Sequence, residues 1–343
     1  MKLKKIRVID YEYGYEELIK KILYNSKEPI LIKIKNFPEK FSLDYFIERF
    51  NGEAKYNVFE NNMCVDLQSS ELKTALTAIK ENKPYRIFSQ IFSRNESEKI
   101  ERHVPLWKKF PLRPRFFNKN LAVAYFFGGK GAHTDMHYDR EHSCNLHLCL
   151  SGKKEILLFT EDQSDNIYKV PFISDSMIHF GLPMDLIRKE FPRINQAEGY
   201  QVFLEKGDML FMPRNCWHYT TYHDASSAAT YAFYPNKFFH LYGFLTGHFF
   251  LGYKVYSQID QYSWFKKFIK SYAFATGIKK YFFKMIEKIL FLGLFLPISI
   301  CNIMGKRISL YPRVAAKKRK TKLYCYPKNQ VMSQEYGVED KAV

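Results

Sequence analysis

Gly131-Ala132-His133-Thr134-Asp135-Met136-His137-Tyr138-Asp139, answered far downstream by Gly207-Asp208-Met209-Leu210-Phe211-Met212-Pro213-Arg214-Asn215-Cys216-Trp217-His218, is the stretch that decides the fold. In a strand, residues i and i+2 project from one face, so His137 and Asp139 can reach a common ion while Tyr138 points away. A third donor must then come from a strand close in space and remote in sequence, as a rolled antiparallel sheet provides. Asp208 and Pro213 bracket a short strand, Met209 to Met212, that aims His218 inward. Two imidazoles and one carboxylate on one face of a metal leave the opposite positions open for other ligands.

That donor set is the facial triad of non-haem Fe(II) oxygenases. With it, the chain resembles the JmjC and cupin-like hydroxylases, the group that includes the asparaginyl hydroxylase acting on hypoxia-inducible factor. The resemblance is carried by Gly131, Thr134, His137, Asp139, Asn145, Gly152, Lys154, Gly207, Asp208, Pro213, Trp217 and His218. It extends over about Glu28 to Pro235, opening on the strand-like Pro29-Ile30-Leu31-Ile32-Lys33. It implies a mainly β fold, a double-stranded β-helix (jelly-roll) barrel, with Fe(II) on His137, Asp139 and His218 and 2-oxoglutarate as cosubstrate.

The resemblance also gives roles to three cosubstrate-binding residues. Lys154 supplies the cation and Thr134 the hydroxyl for the far carboxylate of 2-oxoglutarate, while Asn145 is similar to the family's amide near the chelating end. A buried ammonium is costly unless paired, so the ligand carboxylate would be its partner. On residues alone, Lys154 reads equally as a solvated turn lysine beside Lys153.

Three features depart from the family pattern. The Asp139 to Asn145 gap is longer, so the loop Arg140 to Cys144 reshapes the entrance. Phe233 stands roughly where some relatives place a polar residue near the cosubstrate. A second His-x-Asp, His133 and Asp135, shares the strand parity of the first, but register with Thr134 and Gly152 favours His137 and Asp139. His133 then reads as a rim residue near the mouth, and His147 either lines the pocket or packs in the core. Cys216, beside Trp217, reads as a small core filler or as an oxidation-prone thiol near the iron.

Composition fits a folded protein. Apolar residues make up 46% of the 343 positions and aromatics 17%, which excludes disorder for most of the chain. The six cysteines form no C-x-x-C pair, and the basic N-terminus is not followed by an apolar stretch. A reducing, cytoplasmic setting is the expectation.

The expected organisation is an N-terminal α/β region over residues 1–114 packed on the barrel, and a core over 115–236 with an insert at 172–199. A basic aromatic helical region over 237–325 and a tail over 326–343 follow. Helices are predicted over Tyr15 to Tyr24, Ser42 to Phe50 and Leu72 to Glu81, a strand over Pro29 to Lys35, and a connector over Leu106 to Pro114. Short strands are predicted over Asn120 to Phe127, Asn145 to Leu150, Glu155 to Phe159, Gln201 to Leu204, Met209 to Met212 and Ala228 to Tyr234. The insert Phe172 to Gly199 reads as a lid or substrate-facing loop.

Beyond Pro235 the charge changes. Lys237 to Lys322 holds roughly 17 Lys and Arg against Asp260 and Glu287, most of the formal +18. Three readings compete for this region: a helical subdomain that packs on the barrel or forms a homodimer, an anchor to an anionic membrane surface, and a nucleic-acid surface. A transmembrane span is disfavoured, because the apolar run Ile289 to Met304 falls short of roughly 20 residues and is broken by Pro297 and Asn302.

The expected activity is hydroxylation of a C–H bond in a protein side chain, an RNA base or a small molecule. The alternative is a cupin-fold metal- or ligand-binding protein without oxygenase turnover.

Overall fold

Ile30-Leu31-Ile32-Lys33-Ile34 is an apolar, largely β-branched run with one exposed position, and it forms a strand covered on both faces. The computed structural model of this chain describes residues 1–115, 123–172, 174–249 and 263–306. Within them the N-terminal third supplies β1 (Lys2–Lys4), β2 (Arg7–Tyr11), α1 (Glu16–Asn25), β3 (Ile30–Ile34), α2 (Leu43–Arg49), β4 (Glu53–Glu60), β5 (Met63–Glu71), α3 (Leu72–Lys80), β6 (Tyr85–Gln90) and α4 (Arg94–Glu101). The centre supplies β7 (Ala124–Gly128), β8 (His133–His137), β9 (Cys144–Ser151), β10 (Lys154–Phe159), α5 (Met184–Glu190), β11 (Glu198–Leu204), β12 (Asp208–Met212), β13 (Trp217–Tyr222) and β14 (Ser226–Phe233). Three helices follow: α6 (Lys237–Phe249), α7 (Ser263–Phe274) and α8 (Gly277–Ile303).

The strands hydrogen-bond into two sheets, an arrangement consistent with a jelly-roll. One runs β1-β11-β10-β13-β8, and the other runs β2-β3-β12-β9-β14-β7-β6-β4-β5. The N-terminal strands are not a separate layer. β3 pairs with β12, and β6 pairs with β7, so they extend the larger sheet at both ends.

Two cores flank the sheets. Helices α1 to α4 cover the outer face of the larger sheet over Phe46, Trp107, Phe110, Phe127 and Phe233, all fully buried or nearly so. The other gathers Phe159, Tyr168, Phe191 and Trp217 with Ile269 and Ile298, joining the smaller sheet to the insert and the C-terminal helices.

The three predicted N-terminal helices form, though Ser42 sits at the N-cap of α2 without a side-chain cap bond. The predicted connector contains a 3-10 turn, Pro105–Lys109, because Leu106 and Trp107 are fully buried and fix it. Part of the predicted strand Asn120 to Phe127 lies outside the described residues, and β7 takes up its second half. The β4–β5 hairpin has no sequence forecast: its turn is Asn61-Asn62, both at positive φ (47° and 60°), without the glycine that usually marks such turns.

α8 continues through Pro297 and Asn302 as one 27-residue helix. The sequence reading had the apolar run Ile289 to Met304 broken at these residues. The helix survives because its last turns are held from outside: Ser299 Oγ donates to Leu245 O (3.0 Å) and Asn302 Nδ2 donates to His248 O (2.7 Å). By length and composition it could cross a membrane, with an apolar window of mean hydropathy 1.8 that is only 17% buried. The run Lys317-Lys318-Arg319-Lys320 and the tail lie outside the described residues.

Candidate metal centre

β8 and β13 run antiparallel, but their register slips. His218 lies opposite His137, whereas Thr220 lies opposite Thr134, so Asp135 and Met136 together face Tyr219 alone. This is a β-bulge, and it reverses side-chain parity along β8. Thr134 and His137 therefore share the interior face although they are three residues apart. His133 and Asp135 go to the outer face, which corrects the expectation that both His-x-Asp pairs share one side. Asp139 also departs from expectation, lying two residues beyond the end of β8. Tyr138 points away, edge-on to Trp217 with ring centroids 4.7 Å apart.

One donor atom from each of His137, Asp139 and His218 comes within 4.8 Å of the others. His137 Nε2 is 3.9 Å from Asp139 Oδ1, and the two imidazole centroids are 4.2 Å apart. The tautomers follow from the backbone. His137 Nδ1 lies 2.7 Å from Asp135 O, and His218 Nδ1 lies 3.1 Å from Cys216 O. A carbonyl only accepts, so each Nδ1 carries the proton and each Nε2 presents a lone pair to the shared point. Burial keeps both rings neutral: it lowers His137, and it holds His218 at about 4, helped by the neighbouring His137. Asn145 Nδ2 donates to Asp139 Oδ2, and Ser143 Oγ donates to Asn145 Oδ1 (3.4 Å). Asn145 thus orients the candidate ligand carboxylate.

The same cavity, about 520 Å³ with its open mouth, is lined further in by Thr134, His147, Thr220, Tyr222, Thr230 and Arg86. Lys154 is fully buried, unlike Lys153, which pairs with Glu205 at 3.0 Å in solvent. The solvated-turn reading of Lys154 is therefore excluded. Its Nζ donates to His147 Nε2 (2.6 Å), and His147 Nδ1 in turn donates to Thr230 Oγ1 (2.6 Å). His147 lines the pocket, and Lys154 stands behind it. Burial, with Arg86 nearby, pushes the Lys154 ammonium down to about 8.

Arg86 on β6 was not anticipated. It is buried, and its Nε makes no hydrogen bond among the described residues. No carboxylate there lies within ion-pair distance of Arg86 or Lys154. The only signal in the sequence was a lone arginine in the strand-like Tyr85-Arg86-Ile87-Phe88.

The remaining candidates fall outside the cavity. Phe233 packs on Phe110 at 4.0 Å in the main core, and Thr230 is the residue that β14 turns toward the pocket. Cys216 is buried, and burial raises its thiol well above the usual range, which favours the core-filler reading over a reactive thiol. In the Arg140 to Cys144 loop, burial and the neighbouring Asp139 push the Glu141 carboxyl up to about 7.

A family model described as Cupin-like domain matches residues 31–240. The chain is 32% identical over 96 residues to HSPB1-associated protein 1 of Homo sapiens, which covers 27% of the chain and 20% of that protein. It is 31% identical over 101 residues to Jumonji C domain-containing protein 5 of Drosophila melanogaster, covering 29% and 24%. It is 34% identical over 97 residues to Lysine-specific demethylase JMJ30 of Arabidopsis thaliana, covering 27% and 21%. The matched stretch thus spans a fifth to a quarter of the length of these curated relatives.

Proposed function

Since the chain belongs to the JmjC/cupin-like family, we propose that it is a Fe(II)- and 2-oxoglutarate-dependent oxygenase that hydroxylates a C–H bond. Its metal would sit on His137, Asp139 and His218, and its cosubstrate would lie between that centre and the Lys154–Arg86 end of the cavity. Iron and 2-oxoglutarate bound there would supply the oxidising chemistry, with succinate and CO2 as by-products.

The observation that carries this reading is the pairing of two ends in one cavity. At one end, two neutral imidazoles and a carboxylate converge with both Nε2 lone pairs available. At the other, two buried cations stand without a carboxylate among the described residues, and one retains an unpaired donor. Like charges buried together are unfavourable, so an anionic ligand is what this end lacks. A dicarboxylate with a keto acid end fits both requirements. Thr134 and Tyr222 would add hydroxyl donors, and the buried wall around Ile156 and Met212 would exclude water.

The test is the uncoupled conversion of 2-oxoglutarate to succinate in the presence of Fe(II) and O2. Turnover by the native protein and none by His137→Ala supports the reading. Equal succinate from both would remove it. Peptide, RNA and small-molecule pools screened for gain of one oxygen atom would then identify the substrate class.

A second part of the proposal concerns α8. Ile278, Tyr281, Met285, Ile289, Leu292 and Leu296 recur at spacings of three and four and are all exposed, with Lys279, Lys284 and Lys288 exposed on the same helix. An apolar stripe flanked by lysines suits an anionic lipid surface. Sedimentation with phosphatidylserine vesicles at low salt, reversed by high salt, is the expected behaviour. Protein that stays in the supernatant at low salt would rule it out.

A further inference from the structure

The bulge in β8 turns His133 and Asp135 away from the candidate centre and toward the insert, where they meet His179. One oxygen, Asp135 Oδ1, is 3.4 Å from His133 Nε2 and 3.5 Å from His179 Nδ1. All three donor atoms lie within 4.8 Å of one another. A charge-assisted N–H···O bond would be about 2.7–2.9 Å long. The observed separations exceed that. They match instead the roughly 3.4 Å edge of a tetrahedron whose metal–ligand bonds are about 2.1 Å.

We propose that His133, Asp135 and His179 form a second site, separate from the candidate iron centre, for a divalent transition-metal ion of the Zn(II) type. The donor set, two imidazoles and a carboxylate, is one that such ions take, with a water in the fourth position.

The tautomer of His179 supports it. His179 Nε2 lies 3.0 Å from the carbonyl of Asn62, which only accepts, so Nε2 carries the ring proton. With Nε2 turned outward to that carbonyl, Nδ1 is the ring atom that faces the Asp135 carboxylate and can offer its lone pair to a cation. A cation between them turns two facing lone pairs into two bonds, and the carbonyl contact to the outer nitrogen is how ligating histidines are commonly held.

The surroundings are built to the ring. A Cβ on Gly181 would come within 2.9 Å of His179 Nε2, so only glycine leaves the ring its place. Asn62 holds the same segment through Nδ2 to Gly181 O (3.4 Å), from the positive-φ turn between β4 and β5. Phe59 covers His133 at 4.6 Å between ring centroids. His133 and His179 are almost completely buried.

The ion would tie the insert to β8 on the face opposite the candidate iron centre. Asp135 serves both sides: its carboxylate faces the second site, and its carbonyl accepts from His137 Nδ1. Loading the second site would thereby steady the orientation of His137 and fasten the segment that covers the sheet.

The experiment uses the full chain, stripped with chelator and titrated with Zn(II) and then Co(II), with bound metal counted after dialysis and folding checked by circular dichroism. The native protein is expected to bind two equivalents, and H137A/H218A one, with the visible spectrum of four-coordinate Co(II) and a raised melting temperature. Asp135→Asn, which keeps the backbone carbonyl, and His179→Gln, each added to H137A/H218A, should abolish that equivalent. Folded H137A/H218A that binds no metal would overturn the proposal, as would an equivalent that survives both added substitutions. These outcomes are independent of the iron reading, which is tested at His137 and His218.

Discussion

Lys154 Nζ, fully buried, donates to the neutral Nε2 of His147 over 2.6 Å, and Arg86 stands beside it as a second buried cation. A neutral imidazole satisfies one ammonium proton and none of the charge. The cavity wall thus holds positive charge in reserve for an anion.

Lys154→Ala should weaken 2-oxoglutarate binding by about 10- to 100-fold, because it removes the buried positive charge behind His147 and the hydrogen bond that orients that ring, together about 1.5–3 kcal/mol. Arg86→Ala should weaken it by a similar factor, with Fe(II) affinity unchanged in both. Anaerobic titration of the iron-loaded protein measures this. A shift confined to iron binding would contradict the assigned roles.

Asn145→Ala should lower metal affinity by about 10- to 100-fold, because its amide donates to the Asp139 carboxylate and holds it toward the shared point. Calorimetry with Zn(II) as the probe reads the change. An unaltered affinity would mean that Asp139 is positioned without it.

Metal-free protein should lose stability as pH falls from about 6.5 toward 4. His142 and His218 are held at about 4 by burial, against about 6.5 unfolded. Between those values the unfolded chain binds more protons, so acidification favours it. Glu141 works in the opposite direction. Its carboxyl is raised to about 7, so the folded state holds its proton and this group costs stability as pH rises from about 4.5 to 7. Two histidines outweigh one glutamate, and melting temperature should be lower at pH 5 than at pH 7. His142→Gln should flatten that slope, and a slope unchanged in this variant would contradict the assignment.

Gly152→Ala should destabilise the fold by about 2 kcal/mol or more. Its φ is +73°, and an added Cβ would strike the carbonyl of Ala225 and the backbone of Ser226, where β14 begins. A thermal melt indistinguishable from the native protein's would show that the Ser151–Lys153 turn can rearrange.

The strands that flank the candidate centre and supply Asn145, Lys154 and Thr230 were legible because their residues alternate or run apolar between turns: β9, β10 and β14, with β12 beside them, all fall within a few residues of their predicted bounds. Periodicity cannot register a bulge. One extra residue between Thr134 and His137 changes which side chains share a face, and nothing in Asp135-Met136 announces it. Arg86 and His179 were missed for a related reason. Each reaches its site through a long-range pairing, β6 on β7 and the insert on β8, which local pattern does not encode. Pro297 misled in the other direction, since tertiary contacts from α6 hold α8 together across it.

The central claim is that one cavity binds iron at one end and a 2-oxoglutarate carboxylate at the other. The most direct measurement adds Fe(II) and then 2-oxoglutarate to the metal-free protein without oxygen and records the visible spectrum. The account predicts the charge-transfer band of a chelated keto acid, absent in His137→Ala and requiring more 2-oxoglutarate in Lys154→Ala. A folded, iron-binding protein that gives no band at saturating 2-oxoglutarate would contradict it.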